Sequence, residues 1–498
     1  MKAKQKSAIV VGAGFGGLAS ALRLCAMGYQ VTVLDKLPNA GGRARAFSSS
    51  KSGSNYNYDA GPTVLTAPVL FEELFALFGE KLSDFVTLLP VKPWYRMQFI
   101  DGKTLDYGGD TANIQHEIAK FSQADADNYP QFLAHTEAIF KVGYTQYGDK
   151  PFSALSMLRA LPQLLKLRAD RSVYNTVAKF FKHDAVRRAF SIQPLLVGGN
   201  PFNTTSIYSL IHFLERKWGI WYPQGGMRAL VQALVDCGLR HGVEYQFNQT
   251  VIGLILENNV AKAVKLATGE TLQADIVVTN ADPAFVYENW LNDNTPKPLL
   301  HGRYKHSMSL FVGYFSTKKI YSNVQHHTIL FGREYRKTLA NIFDKKVLDD
   351  DLSVYLHRPA ATDPTHPKDH DSFYALVPVP NLSADISWEI SAPILKAQLM
   401  AKLENVLPNL ANELVDDFYI TPKYFETELA SHLGAGFGIQ PTFFQSANFR
   451  YKNKANIHNL YFTGANTHPG AGVPGVLLSA KVLENMLRNS NEKRRSNE

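Results

Sequence analysis

The chain has 498 residues, of which 45% are hydrophobic and 19% charged, and it carries a formal net charge of +8. This length favours two or three domains. The positive balance is typical either of a protein with an anionic partner such as a lipid surface, or of a solvated surface with a modest positive excess. No basic run alternates with aromatic residues as in nucleic-acid-binding modules, so a nucleic-acid partner is not expected. Two cysteines, Cys25 and Cys237, are too few for a disulfide framework and indicate a reducing, cytoplasmic location.

Targeting and spanning segments are also not expected. A strand predicted to begin at Ser7 lies too early in the chain for a signal peptide before it. No run of about 18 apolar residues predicts a membrane-spanning helix. Membrane contact is therefore expected to be peripheral, on the inner face of the cell membrane.

The first predicted elements form a βαβ unit. A strand at Ser7–Val11 is followed by Gly12-Ala13-Gly14-Phe15-Gly16-Gly17 and then by a helix over residues 18–27. Gly28 ends that helix, and residues 31–34 form the second strand. The order strand, helix, strand predicts the start of a parallel sheet.

The glycine spacing of this unit predicts a dinucleotide site. Gly12 permits the tight turn, Gly14 lets the backbone approach a pyrophosphate, and Gly17 lets helix and strand pack closely. The phosphates are then expected at the helix N-terminus. Asp35 ends the second strand, where its carboxylate can bind a ribose hydroxyl and would repel a 2′-phosphate.

A second glycine pair follows at Gly41-Gly42-Arg43 and resembles the second fingerprint of amine-oxidase-like flavoproteins. That resemblance implies that the stretch runs along the diphosphate and flavin of FAD. The chemistry agrees, because two glycines allow close approach and Arg43 can neutralise phosphate charge.

The middle of the chain alternates helical and strand-like regions. Residues 110–170 are predicted to be helical, and the apolar stretch 152–168, with basic residues interspersed, is typical either of an interfacial segment or of a core-packed helix with a basic outer face. Strands are predicted at residues 271–278, 309–315 and 373–378. Aromatic stretches at 218–222 and 442–444 are candidates for the wall of an apolar tunnel, or for plain core.

The third glycine-rich piece lies at residues 460–475, where a strand, a loop and a helix start follow one another. Gly464, Ala465, Gly472 and Val473 are its candidate cofactor-binding residues. A helix N-terminus aimed at the flavin N1–C2 edge would stabilise the negative charge that develops there on reduction. Three such pieces predict one FAD site assembled from distant segments, and a final helix is predicted over residues 475–487.

Several segments resemble the bacterial-type phytoene desaturases. They are Tyr58-Asp59-Ala60-Gly61-Pro62-Thr63-Val64, Arg171-Ser172-Val173-Tyr174, residues 195–226, residues 445–450 and the loop at 467–472. The resemblance implies an α/β protein with a Rossmann-type, glutathione-reductase-like FAD-binding domain over residues 1–90, 224–300 and 455–498. It also implies a discontinuous α+β substrate domain over 91–115 and 301–454, and a helical, membrane-facing subdomain over 116–223.

The implied activity is stepwise dehydrogenation of phytoene toward lycopene or neurosporene, with FAD as hydride acceptor. Implied partners are phytoene, later carotene intermediates, the membrane surface, and quinone or oxygen as electron acceptor. The alternatives are a C30 diapophytoene desaturase, a ketolase, a later-acting desaturase, a polyene isomerase, and a flavin-fold binding protein without catalysis.

The sequence offers only weak candidates for a catalytic base. His468 is the histidine nearest the predicted flavin loop, and Asp59 lies in a motif that the resemblance places near the flavin. A metal site is not expected, because the histidine groups at 326–327 and 366–370 lack cysteine or acidic partners at ligand spacing.

Overall fold

The structure is a computed structural model that describes residues 5–51, 54–151, 159, 162–292, 295–446 and 449–495. Its strands are β1 Ser7–Val11, β2 Gln30–Leu34, β3 Ala46–Lys51, β4 Ser54–Asp59, β5 Leu88–Pro90, β6 Tyr95–Gln98, β7 Thr104–Tyr107, β8 Trp221–Pro223, β9 Glu244–Gln246, β10 Val251–Glu257, β11 Val260–Leu266, β12 Thr271–Gln273, β13 Ile276–Thr279, β14 Ser309–Thr317, β15 His327–Leu330, β16 Val354–His357, β17 Asp371–Val379, β18 Leu414–Ile420 and β19 Leu460–Phe462.

The α-helices are α1 Phe15–Ala26, α2 Val69–Ala76, α3 Thr111–Ala119, α4 Gln123–Phe140, α5 Val173–Phe180, α6 Asp184–Phe190, α7 Leu210–Trp218, α8 Met227–Arg240, α9 Pro283–Asn289, α10 Tyr335–Ala340, α11 Trp388–Leu403, α12 Leu410–Glu413, α13 Pro422–Thr427 and α14 Val473–Arg495. Shorter 3-10 or π turns lie at Gly42–Ala44, Leu82–Asp84, Lys141–Gln146, Gln193–Val197, Ser206–Ser209, Asn341–Lys345, Pro359–Ala361, His432–Gly434 and Phe443–Gln445.

A parallel sheet with the strand order β19-β13-β1-β2-β9 carries the predicted βαβ unit. Strands β1, β13 and β19 are almost wholly buried, as expected of parallel strands covered on both faces, and this is why they read as unbroken apolar runs. Helix α1 covers one face, where Val10 and Leu18 share a core. On the other face Ile9 packs in one cluster with Val264 of β11.

One predicted strand is wrong. Residues 271–278 form two strands, β12 and β13, which belong to different sheets. The chain breaks at Asp275 because its Oδ2 accepts hydrogen bonds from the backbone N–H and the hydroxyl of Ser7, at 2.7 and 3.2 Å. This carboxylate thereby fixes the start of β1 beside β13.

The large sheet has the order β18-β14-β17-β16-β15-β6-β7. Strands β14 and β17 contain the predicted strands at 309–315 and 373–378, and they pair antiparallel along their full length. Their side chains alternate between two environments. Phe311 and Phe315 pack with Leu399 of α11, whereas Leu310 and Val312 face a large cavity.

The region predicted to be helical contains α3 and α4, which confirms the helical pattern for that part. Much of the proposed interfacial stretch 152–168 lies outside the described residues. Within the described part, residues 162–166 are helical, and Leu165 is 51% exposed.

The first and last helices pack together through a buried arginine. Arg23 of α1 contacts Glu484 of α14 at 2.5 Å and Glu73 of α2 at 2.9 Å. Helix α14 starts two residues before the predicted start and continues beyond residue 487 to Arg495. The two ends of the described chain thus meet on one side of the parallel sheet.

Candidate functional site

The first glycine-rich loop has the geometry that close approach of a ligand requires. Gly12 has φ +98°, a conformation that favours glycine, and its N–H donates to Leu34 O at 2.7 Å. A Cβ at Gly17 would lie 1.8 Å from Gly12 O, so only glycine lets α1 pack against the loop. Gly12 and Gly14 line the cavity, whereas Gly17 lies behind them in the packing role predicted for it.

Asp35 lies at the end of β2 and lines the same cavity. Its carboxylate accepts hydrogen bonds from Ala13 N at 2.6 Å and from Leu37 N at 2.8 Å. Burial raises the pKa of Asp35, and these two backbone hydrogen bonds oppose the rise. The carboxylate therefore holds the glycine loop in place, and its remaining lone pairs can accept a hydrogen bond from a ligand hydroxyl.

The second glycine pair lies directly against the first loop. Gly41 N donates to Ala13 O at 2.8 Å, and Gly14 and Gly41 form an isolated bridge. Gly42 follows with φ +53°, and its Cβ would lie 3.3 Å from Gly14 Cα. The backbone of this stretch therefore lies close enough to the first loop to share one ligand with it.

Arg43 supplies a cation beside this pair. Its guanidinium donates to Ser431 Oγ at 3.0 Å, and its Nε has no hydrogen-bond partner among the described residues. Burial lowers the pKa of Arg43, and the nearby carboxylate of Asp282 opposes that shift. A partly unpaired guanidinium in this place is suited to a phosphate or another anionic group.

A third glycine-bearing loop, at residues 463–472, lies beside the stretches at 12–17 and 41–43. We call these three stretches together the cradle. Gly464 and Gly472 have φ +113° and +92°, and α14 begins at Val473. Arg450 donates to Ala465 O at 2.7 Å and so holds the loop from behind. Gly464, Ala465, Gly472 and Val473 all line the cavity together with the two earlier glycine stretches.

Asn280 is a central residue that the sequence analysis missed. It follows β13, and its amide donates to Thr463 O at 3.1 Å. A Cβ at Gly14 or at Gly464 would lie within 2.8 Å of the Asn280 amide group. The available signal was its position at the carboxyl end of a buried parallel strand, where ligands bind in such sheets.

The cavity has a volume of about 660 Å³ and continues from the glycine cradle into an apolar region. Strands β14, β15 and β17 of the large sheet and the segment before α7 supply this region. Its apolar wall includes Leu195, Leu196, Ile207, Leu310, Val312, Ile329, Phe331, Leu376 and Phe437. Neither aromatic stretch proposed for the tunnel lines it, and Phe444 is 72% exposed.

Glu215 is the second residue that the sequence analysis missed. Glu215 lines the cavity, and its two carboxyl oxygens accept hydrogen bonds from Tyr95 OH and Tyr107 OH, both at 2.9 Å. Burial raises the pKa of Glu215 to about 7, against the opposing effects of the two tyrosine hydroxyls and of Arg216. No local sequence signal separates this glutamate from an ordinary helix-surface glutamate.

The two weak candidates for a catalytic base lie in different places. His468 lines the cavity, its Nε2 lies 3.2 Å from Tyr147 O, and burial lowers its pKa to about 4. Asp59 does not appear among the described residues that line the cavity. Its oxygens accept from Met227 N at 2.8 Å and from Tyr222 OH at 2.5 Å.

The cradle fits a flavin dinucleotide by its shape and charge. It combines glycines where a Cβ would collide, a carboxylate at the end of β2, an arginine beside the glycine pair and a helix start opposite them. Within the described residues, no helix is both long and apolar enough to span a membrane.

The family model of the flavin containing amine oxidoreductases matches residues 15–482, so the chain belongs to that family. An oxidoreductase structure from Methanosarcina mazei superposes with a TM-score of 0.62 at 14% identity, covering 96% of this chain and all of that one. This likeness supports the fold. The predictions of a Rossmann-type α/β FAD-binding fold, of FAD and of an oxidoreductase are confirmed.

Sequence relatives define the group more closely. The phytoene desaturase (lycopene-forming) of Pseudescherichia vulneris is 44% identical over 490 residues, which cover 97% of this chain and 99% of that protein. The phytoene desaturase (neurosporene-forming) of Rhodobacter capsulatus is 39% identical over 495 residues, which cover 96% and 93%. Within the flavoprotein family, the chain therefore belongs to the phytoene desaturases.

Proposed function

We propose that this protein is an FAD-dependent desaturase that removes hydrogen pairs from phytoene and carries the product toward lycopene, with neurosporene as the alternative end point. The observation that carries the proposal is the continuous cavity, in which a dinucleotide cradle opens into an apolar region. The similarity to relatives of that name, at 44% and 39% identity over nearly the full length of this chain, supports the same substrate class.

In each step one C–H bond loses a hydride, the neighbouring C–H bond loses a proton, and a C=C bond forms between the two carbons. FAD, when bound, accepts the hydride. The residues of the chain hold the polyene in a slot without water and receive the proton. We propose Glu215 as the proton acceptor, because this residue lines the cavity and its pKa of about 7 suits proton transfer near neutral pH.

The remaining site assignments follow from the same cradle. We propose that Gly12, Gly14, Asp35, Gly41, Gly42, Arg43, Gly464, Ala465, Gly472 and Val473 bind FAD, with Gly17 packing behind them. His468 lines the cavity but is a weak base because burial favours its neutral form. Asp59 is directed instead to Met227 and Tyr222.

The decisive experiment supplies purified, FAD-loaded protein with phytoene in liposomes. The expected products absorb at longer wavelength and have lost two hydrogens for each new double bond, which mass spectrometry measures. An isomerase would change the spectrum without changing the mass, and a binding protein would change neither. A C30 precursor and a hydroxylated or ketolated product, assayed in parallel, separate the other carotenoid oxidoreductases.

We also propose that the protein works as a peripheral protein on the inner face of the membrane, with quinone or oxygen as electron acceptor. The net charge of +8 favours an anionic lipid surface, and the apolar cavity suits a substrate dissolved in lipid. Flotation with anionic and with neutral vesicles tests the attachment. Turnover with quinone under argon, compared with turnover in air, tests the acceptor.

The domain division predicted from sequence is proposed unchanged, with FAD-binding segments at 1–90, 224–300 and 455–498. The parallel sheet draws its strands from these three segments, and the large sheet draws its strands from 91–115 and 301–454. Residues 116–223 supply the helical subdomain.

A further inference from the structure

Outside the FAD cradle, three histidines and one carboxylate meet in the interior. His327 of β15 lies directly opposite His357 of β16 in the antiparallel register, and His326 immediately precedes β15. Asp59, the last residue of β4, approaches from the hairpin next to the cradle. All four side chains are buried, with the three histidines at 1% exposure or less.

The ring nitrogens of this cluster point toward one another. One nitrogen from each histidine lies within 4.8 Å of the others, and His357 Nε2 lies 3.5 Å from Asp59 Oδ2. Both nitrogens of His326, both of His357 and Nε2 of His327 have no hydrogen-bond partner among the described residues. Buried polar atoms normally have a partner, so this cluster is arranged for a ligand.

The surrounding groups orient these side chains. Tyr355 OH lies 2.6 Å from His327 Nδ1 and 2.9 Å from Thr63 Oγ1, which leaves Nε2 of His327 turned to the cluster. Asp59 is held by Met227 N and Tyr222 OH. Partners that fix the far side of a ligating group are typical of metal centres.

The charges are also suitable for a cation. Imidazole nitrogens and carboxylate oxygens are both ligands that zinc-class cations accept. Arg358 is a nearby cation, and its guanidinium pairs with Asp371 at 2.9 Å. The carboxylate of Asp59 therefore remains available to offset positive charge at the cluster.

We propose that His326, His327, His357 and Asp59 bind a divalent transition-metal cation of the zinc class. Three imidazoles and one carboxylate form a tetrahedral set that Zn²⁺ accepts, and four protein ligands make the site structural. Ligands about 2.1 Å from zinc lie roughly 3.4 Å apart, so the rings move together by about an ångström on binding. The metal would join hairpin β3–β4 to the large sheet. Sequence spacing missed the site because its ligands lie at positions 59, 326, 327 and 357.

The test uses the FAD-loaded full-length protein, incubated with Zn²⁺ and passed over a chelating resin, with metal content measured by mass spectrometry. We expect about one equivalent of zinc per chain. The double variant His327→Gln/His357→Gln should retain at most about a tenth of the wild-type zinc content. His116→Gln, which changes an exposed histidine of α3, should retain the wild-type content.

Cobalt substitution provides the second measurement and needs no variant. Co²⁺ in the wild-type protein should give the intense visible bands of a tetrahedral site, and X-ray absorption should report nitrogen and oxygen neighbours. The proposal is overturned if wild type retains no more zinc than the double variant, or if bound Co²⁺ gives the weak spectrum of a hexaaqua ion. If the double variant fails to fold, the wild-type zinc content and Co²⁺ spectrum decide. Phytoene turnover is measured separately, so loss of this proposal leaves the desaturase proposal standing.

Discussion

At the scale of single residues, the cradle depends on positions where one added carbon atom would collide with neighbouring protein atoms. Gly17 is the extreme case, because the colliding atom is the carbonyl oxygen of Gly12 in the turn itself. The turn cannot move without displacing Gly14 and the bridge to Gly41. We therefore expect cofactor affinity to depend partly on Gly17, a residue that does not line the cavity.

We expect Gly17→Ala to lower FAD occupancy by about tenfold or more, because its Cβ would lie 1.8 Å from Gly12 O and separate α1 from the loop. The measurement is the ratio of flavin absorbance to protein absorbance after gel filtration. Gly253→Ala is the matched control, since its Cβ would lie 3.8 Å from Trp290 O. Equal flavin content in the two variants would contradict this role of Gly17.

Glu215 gives a prediction about pH. Its pKa is 4.5 in the unfolded chain and about 7 in the folded protein, so between these values the folded state binds more protons. The contribution of Glu215 to the free energy of unfolding therefore falls as pH rises through this window. Glu215→Gln should remove that fall, which urea unfolding at several pH values measures. If the difference in free energy of unfolding between wild type and variant stays constant with pH, the raised pKa is refuted.

The same variant tests the proposed proton acceptor. Glu215→Gln keeps the shape of the side chain and one oxygen that can accept from a tyrosine hydroxyl, but it cannot take a proton at neutral pH. We expect phytoene turnover to fall by about a hundredfold, within the usual range for a lost general base, with flavin content unchanged. If the variant turns over phytoene at nearly the wild-type rate, another group must be the proton acceptor.

At the scale of elements, the packing of α1, α2 and α14 depends on Arg23. Its guanidinium joins Glu73 and Glu484, while Lys481 and Arg488 contact the same two carboxylates from their outer sides. The arginine is 4% exposed and Glu484 is 9% exposed, so this contact is shielded from solvent and salt.

We expect Arg23→Ala to lower the free energy of unfolding by about 3 kcal/mol, because it leaves the Glu484 carboxylate buried without its closest cation. Arg488→Ala, at a side chain that is 52% exposed, should cost less than about 1 kcal/mol. Chemical unfolding followed by fluorescence compares the two variants. Similar losses in both would show that the buried contact adds nothing beyond a surface ion pair.

Elements that are specified locally could be predicted from the sequence. Strand β1, the glycine turn, α1 and Asp35 follow one another within one βαβ unit, so local spacing sufficed. The strand predicted at residues 271–278 is wrong because a distant partner, Ser7, decides where Asp275 bends the chain. Glu215 was missed for a related reason, since its contacts with Tyr95 and Tyr107 arise only when remote segments meet. Asn280 differs, because its position at the end of a buried strand was a signal that could have been used.

At the scale of the whole molecule, the proposed FAD site joins segments from both ends and the middle of the described chain. Cofactor binding should therefore stabilise the entire parallel sheet. A ligand at a hundred times its dissociation constant adds about 2.7 kcal/mol to the free energy of unfolding. We expect FAD added to the apoprotein to raise the unfolding midpoint of wild type, and to leave that of Gly17→Ala nearly unchanged. Calorimetry measures the unfolding midpoint of both proteins with and without FAD. Equal increases would show that the stabilisation by FAD does not require an intact cradle.

The position of β19 has a consequence for biosynthesis. Strand β13, Ile276–Thr279, leaves the ribosome well before its outer neighbour β19, Leu460–Phe462, which is the last strand of the sheet to be made. At the usual speed of translation the interval is on the order of tens of seconds. During that time the edge of β13 that later pairs with β19 has no neighbouring strand. We therefore expect nascent chains to depend on a chaperone until β19 has paired with β13.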